Sequence, residues 1–398
     1  MVKPISTEGG LRGKLIRVTT LAADGPGSIG DAIKQREPRL VVFEVGGVID
    51  LGGRTLVVIS PHLTIAGQTA PDPGITLIRG GLIVETHDVV IQHIAVRPGD
   101  NGATRPWEPD ALGARRGKEP VHHVVFDHCS ATWGVDENLS VSGPADADGI
   151  DATAHDVTLS HCLIAEGLSH ATHSKGEHSK GTLIHDGVRN VAIIGCLYAH
   201  NRERNPRLKG GTTTHIADSV MYNWGSACIG VGARGNKRML QPAEAVIRGN
   251  VAIAGPDTRD RRFVKELDAG GRLSMSDNVL VDRSGAPLAV IDKVARVLRS
   301  AGSRPARRDP IDAGIVQSVI HGDGAIIDSQ EQVGGYPVRA RATRALIVPE
   351  DIEERRRWLE SLSHAIEEDT SLDLAPLRAR LSVRRRSAMT TFYGGPDR

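Results

Sequence analysis

Short apolar runs rich in β-branched residues return along this chain at nearly constant spacing. Val89-Val90-Ile91-Gln92-His93-Ile94, Val124-Val125-Phe126-Asp127-His128-Cys129, Val157-Thr158-Leu159-Ser160-His161-Cys162 and Val191-Ala192-Ile193-Ile194-Gly195-Cys196 end 35, 33 and 34 residues apart. Weaker copies follow at 215–219, 245–250 and 273–278. Each run is too short for a helix and is bounded by Gly, Asn, Asp or His, residues that turns favour. A period in this range, made of strands and loops rather than helix pairs, predicts an all-β stacked solenoid. Each strand of such a stack lies about 4.8 Å from its equivalent in the preceding coil, so equivalent residues form columns. One column reads Ile94, Cys129, Cys162, Cys196, Ser219, Asn250, Asn278 and is expected to face inward; the column before it begins His93, His128, His161.

Three of the four cysteines fall in that inward column, which favours buried thiols over disulfides, and no Cys-x-x-Cys pair suggests zinc. With 45 glycines and only 3% aromatic residues, the core must be built from stacked aliphatics. A net charge of +1 argues against general nucleic-acid binding, and no apolar run is long enough for a membrane span. A monomer is expected. The opening residues Met1 to Gly10 show no apolar leader segment, so the expectation is either a cytosolic chain or a secreted or periplasmic one whose leader lies outside this sequence. Ser28-Ile29-Gly30-Asp31 resembles a capping box opening a short N-terminal helix that caps the stack. Beyond about residue 285 the repeat fades. This predicts a solenoid over 1–285 and a partly helical tail over 286–398 packed along it, with helices at 351–364 and from Pro376. The charged runs 353–357 and 384–386 read as solvated helix faces.

The densest chemistry lies in Arg202-Glu203-Arg204-Asn205-Pro206-Arg207-Leu208-Lys209, a cationic cluster stiffened by proline and suited to gripping an anion. Three further motifs precede it: Asp127-His128 closing a strand, Asp136-Glu137-Asn138-Leu139-Ser140, and His178-Ser179-Lys180-Gly181-Thr182-Leu183. In this order and spacing they resemble the pectate lyase family, and within it the bacterial trisaccharide-lyase type. The likeness runs from about Gly9 to Pro337. It implies a right-handed parallel β-helix and cleavage of an acidic polysaccharide, polygalacturonate, by calcium-assisted β-elimination.

Carried over to this sequence, the resemblance implies that Arg204 is the base and Lys180 a catalytic cation. Lys209 would contact a substrate carboxylate where the family has arginine, keeping the charge but losing the bidentate fork. Arg207, Arg202, Lys175 and His178 would be further substrate contacts. Calcium would sit on Asp110 and Asp136, with Glu108 and Glu137 beside them. The family's second acid in the latter element falls on Ser140, so Glu137 or substrate oxygens would have to complete the shell. An arginine base requires neighbouring cations and burial to weaken its hold on the proton, which implies an alkaline optimum. Two rivals remain at this level. One is a hydrolase on the same scaffold using Asp127, Asp136 and Glu137; the other is a non-catalytic β-helix that binds an anionic polysaccharide. Trp107, Trp133, Tyr198, Tyr222 and Trp224 could stack on sugars or fill gaps between coils.

Overall fold

The computed structural model describes residues 7–144, 149, 152–232, 241–267, 270–281, 285–303, 308–367, 372–382 and 391–392. Among them, strands form three long sheets of ten, eleven and eight strands, which each coil visits in turn. The third coil of the best-marked repeat, for example, runs His155–Ser160 in sheet 1, Leu163–Ala165 in sheet 2 and Lys180–Ile184 in sheet 3. Strands stack in parallel register on their equivalents, Val124 on Val89, Val157 on Val124, Val191 on Val157. The chain is therefore a parallel β-helix, as the repeat requires.

The two columns read from sequence mark the corner between sheets 1 and 2. His93, His128, His161, Asp218 and Asp277 there have φ between 48° and 53°, and Gly195 and Gly249 have 63° and 69°. This left-handed turn sends the next residue inward, and it explains why the column holds His, Asp and Gly. The turn also leaves a strand carbonyl of the coil below facing the interior, where a small donor must meet it. Cys129, Cys162 and Cys196 direct Sγ to the carbonyls of Ile91, Phe126 and Leu159 at 3.4–3.5 Å. In later coils Asn250 and Asn278 do the same with Nδ2, at 2.9 Å to Ile216 and 2.7 Å to Ile247. All four cysteines are free and buried. Outside the corner, His93, His128 and His161 stack at 4.9 and 4.7 Å between ring centroids, the coil spacing itself.

Ser28 caps the short helix α1 (Ile29–Lys34), its side chain accepting from the Asp31 amide. Among the described residues, four α-helices follow the last coil: α2 (Leu288–Ser300), α3 (Pro310–His321), α4 (Ile352–Glu367) and α5 (Ala375–Leu381). Only the last two were expected. α2, α3 and α5 bury Val294, Leu298, Val316, Ile320 and Leu377 against Leu163, Leu197, Val220 and Ile253 of sheet 2. α3 is pinned by Arg97, wholly buried, whose guanidinium reaches Asp312 at 2.9 Å, Asp309 at 3.0 Å and Thr132 at 2.7 Å. α4 packs Leu359 against the outside of sheet 1 near Leu40 and Val42. Arg355 departs from the solvated face expected of it. It is buried and donates to the carbonyls of Pro349, Leu11 and Glu350, stapling α4 to the N-terminal segment. The run 384–386 lies outside the described residues. None of the helices described is long and apolar enough to cross a membrane.

Candidate active site

The site forms where chain enters sheet 3. Parallel pairing lays Lys180 on Glu137, and an isolated bridge lays Glu203 on Lys180. One coil earlier, the Ala111 amide bonds the Glu137 carbonyl, which brings Asp110 alongside. Asp136 is fixed next to Asp110 because the amides of Val135 and Asp136 both bond the Pro109 carbonyl, at 3.1 and 3.4 Å. Beneath this row runs a buried chain of amides: Asn138 Nδ2 donates to Asn201 Oδ1 at 2.9 Å and Asn201 Nδ2 to Asn205 Oδ1 at 3.1 Å. It locks the turn that carries Arg204, which has φ 65° and so stands in the left-handed region.

Asp110, Asp136 and Glu137 bring carboxylate oxygens within 4.8 Å of one another. Burial, and then the charge of Asp136, raises the Asp110 carboxyl to about 7 against the hydrogen bond from Ser140. Burial also opposes the charge of Asp136, but the His178 hydrogen bond and the nearby His173 outweigh it and hold that carboxyl low. His178 Nε2 lies 2.8 Å from Asp136 Oδ1, and the His173 ring stacks on it at 3.8 Å. Ser140 donates to Asp110 Oδ2 at 2.5 Å, so the residue in place of the family's second acid orients an acid instead. Glu108 stands outside the trio, accepting from the Ser174 amide at 2.7 Å and thereby holding the loop that carries His173 and Lys175.

The cations are charge-matched. Arg204 pairs with Glu137, and Lys180 with Glu203. Arg202 pairs with Glu177 and Lys209 with the buried Asp186, each at 2.5 Å. Arg207 donates to the Gly232 carbonyl at 3.0 Å. Lys175 is exposed. Burial lowers the proton affinity of Arg204, and Arg207 adds to this while Asp136 and Asp110 oppose it. Burial likewise lowers Lys180, opposed by Glu203. Trp133, Tyr198, Tyr222 and Trp224 are buried and fill the stack rather than offer faces to a sugar. Sequence reasoning missed Glu203, Asp186, Glu177, His173 and the asparagine chain. The strand register supplies the signal for Glu203, one coil above Lys180.

The acid trio fits a hard divalent cation: three oxygen donors converge, and the burial of Asp110 together with the charge of Asp136 beside it raises a carboxyl that such an ion would hold ionised. A parallel β-helix carrying an acid–cation groove on one sheet is the class that fold and site define. Its coils are similar to those of jun a 1, the major allergen from cedar pollen, with TM-score 0.50 and 17% identity over 70% of this chain and 80% of that one, a likeness of fold alone. No family model matches. The chain is 32% identical over 362 residues to a probable pectate lyase C of Aspergillus flavus, covering 82% of this chain and 78% of that protein. A probable pectate lyase C of Aspergillus fumigatus is 36% identical over 258 residues, 65% of this chain and 54% of that protein. This chain belongs to the pectate lyase family, and is on that ground a polysaccharide lyase.

Proposed function

We propose that this chain cleaves polygalacturonate by β-elimination, with Arg204 as the base and Lys180 as the cation that meets the reacting sugar's carboxylate. The proton at C5 of a uronate is too weakly acidic to remove until the adjacent carboxylate is neutralised and the developing negative charge has a partner. Arg204 takes that proton; the electron pair it leaves forms the C4–C5 double bond as the glycosidic C4–O bond breaks. The leaving chain departs as an alkoxide that takes a proton from water, Arg204 returns its own proton to solvent, and the new end is a 4,5-unsaturated uronate.

One observation supports this reading most: Arg204 stands on a left-handed turn with its guanidinium among Glu137, Asp136 and Asp110, in surroundings whose burial lowers its hold on the proton. Asp110, Asp136 and Glu137 would hold calcium, with His178 and Ser140 orienting two of those acids. Calcium bound there supplies positive charge that neutralises the substrate carboxylate and offsets the acids now favouring a protonated Arg204. Arg202, Arg207, Lys209 and Lys175 would contact flanking uronates. Such a polymer lies outside the cell, so the enzyme acts as a secreted or periplasmic protein.

The test is ultraviolet absorbance on polygalacturonate at alkaline pH, with calcium and then chelator, for the parent and for Arg204→Ala. The parent should generate the absorbing unsaturated product only with calcium, and the variant none. New reducing ends without absorbance would mean hydrolysis instead, and a polymer bound but left uncut would mean a binding protein.

A further inference from the structure

A second cluster of ligating side chains lies at a different corner of the coil from the groove, the turn that leaves sheet 3 and enters sheet 1. Strand register stacks two columns there. Leu63 pairs with Val89, Val89 with Val124 and Val124 with Val157, so the residues just before them, His62, Asp88, His123 and Asp156, occupy one column. All four have φ between 51° and 54°, a turn repeated coil after coil. The adjoining column holds His87, His122 and His155, whose rings stack at 4.7 and 5.2 Å.

Two sets of side chains at this corner bring their ligand atoms within 4.8 Å of one another: His62, His87 and Asp88, and then Asp88, His122 and His123. Asp88 belongs to both. Its carboxylate is held by Thr7, which donates to Oδ1 at 2.6 Å, and by His87 Nδ1 at 2.9 Å from Oδ2. The Nδ1 atoms of His122 and His123 lie 2.6 Å apart. Two ring nitrogens so close repel unless a proton or a cation lies between their lone pairs.

We infer that this corner binds a divalent transition-metal ion of the zinc class, seated on Asp88, His122 and His123, with His87 and His62 bracing the shared carboxylate. Imidazole nitrogens with one carboxylate are the donor set of a borderline ion, whereas calcium needs oxygens. Because the ligands come from successive coils, the ion cross-links the stack. Its role is stability, independent of the chemistry in the groove.

The experiment is calorimetric titration of zinc into the chelator-treated full chain at neutral pH, alongside thermal melts with zinc or calcium. The parent should bind a single zinc per chain and gain roughly 3–5 °C in Tm at a hundredfold excess over Kd, while calcium gives no such gain through this corner. His122→Phe keeps a stacked ring without a ligand atom, and His123→Asn keeps a residue tolerant of positive φ. Each should weaken zinc binding by at least the roughly 100-fold that even an outer-shell partner can cost. Release of unsaturated product should stay at the parent's level in both, which also reports that they fold. Failure of the parent to bind zinc would overturn the inference. So would unchanged binding in both variants, or binding abolished by His173→Phe in the groove instead.

Discussion

Removing Asp312 should detach α3 from the coil stack. Arg97 and Asp312 are both wholly buried, and the Asp312 carboxylate also accepts from Ser130. Burial alone would push the Asp312 proton affinity up, as it does; Arg97 offsets only part of that. In Asp312→Ala the guanidinium keeps Asp309 and Thr132 but loses the partner that is as deeply buried as itself. Breaking a buried pair from one side costs about 3–5 kcal/mol, because the remaining charge stays desolvated. At about 1.4 kcal/mol per tenfold, amide exchange across α3 should accelerate by roughly two to three and a half orders of magnitude. The assay is native-state hydrogen exchange with fragment separation, comparing 310–321 with 39–43 in sheet 1, which should keep its parent rate. The consequence should reach the site, since the Arg97 guanidinium lies over the Trp133 ring at 5.6 Å, three residues before Asp136. An exchange rate in α3 within about threefold of the parent's would refute the claim that this charge cluster holds the helix down.

Arg204→Lys should lose about 10²–10⁴-fold in turnover on polygalacturonate while the melting curve stays close to the parent's, read by ultraviolet product and circular dichroism. Asp110→Asn should stabilise the metal-free protein above neutral pH. A carboxyl raised to about 7 in the fold favours folding when protonated, so its contribution is present below pH 4 and lost as pH rises through 7. Melts from pH 5 to 9 should show the variant flatter than the parent, and calcium should bind it more weakly. Asn250→Ala removes a side chain that donates to the Ile216 carbonyl and to Asn278 and accepts from the Ser219 amide, all buried. It should cost about 2–4 kcal/mol, measured by denaturant unfolding. All four cysteines should stay inert to a thiol reagent in the folded protein and react once denaturant is added.

How much of this was legible follows from where each interaction is encoded. The corner between sheets 1 and 2 was readable because its spacing stays near 34 residues from Ile94 to Cys196 and its residues are the ones a left-handed turn selects. Sheet 3 was not, because the loops feeding it vary: Glu137 and Lys180 are register partners 43 residues apart, Lys180 and Glu203 only 23. The cationic cluster therefore stands out in the sequence while two of the acids opposite it, Glu177 and Asp186, do not, and Glu137 reads as a calcium ligand rather than as the partner of Arg204. In the tail, Asp309 before Pro310 was a helix start in plain view, its carboxylate capping the Ile311 amide at 2.8 Å. α2 has no such start signal, since Pro287 precedes it without a side-chain cap, and only the helical spacing of Ile291, Val294 and Leu298 marks it.

Each paired cation of the groove already holds a carboxylate of the protein's own, so on the proposed function an incoming uronate would not fill an empty seat but displace a sitting tenant. The resin in an ion-exchange column behaves in the same way. A lone sugar acid competes poorly against a counter-ion tethered a few ångströms away, whereas a polymer presents its second and third carboxylates at high local concentration once the first has exchanged. On the proposed function, selectivity for chains over monomers would be built into the ion pairs Arg202–Glu177, Lys180–Glu203 and Lys209–Asp186 before any sugar ring is recognised.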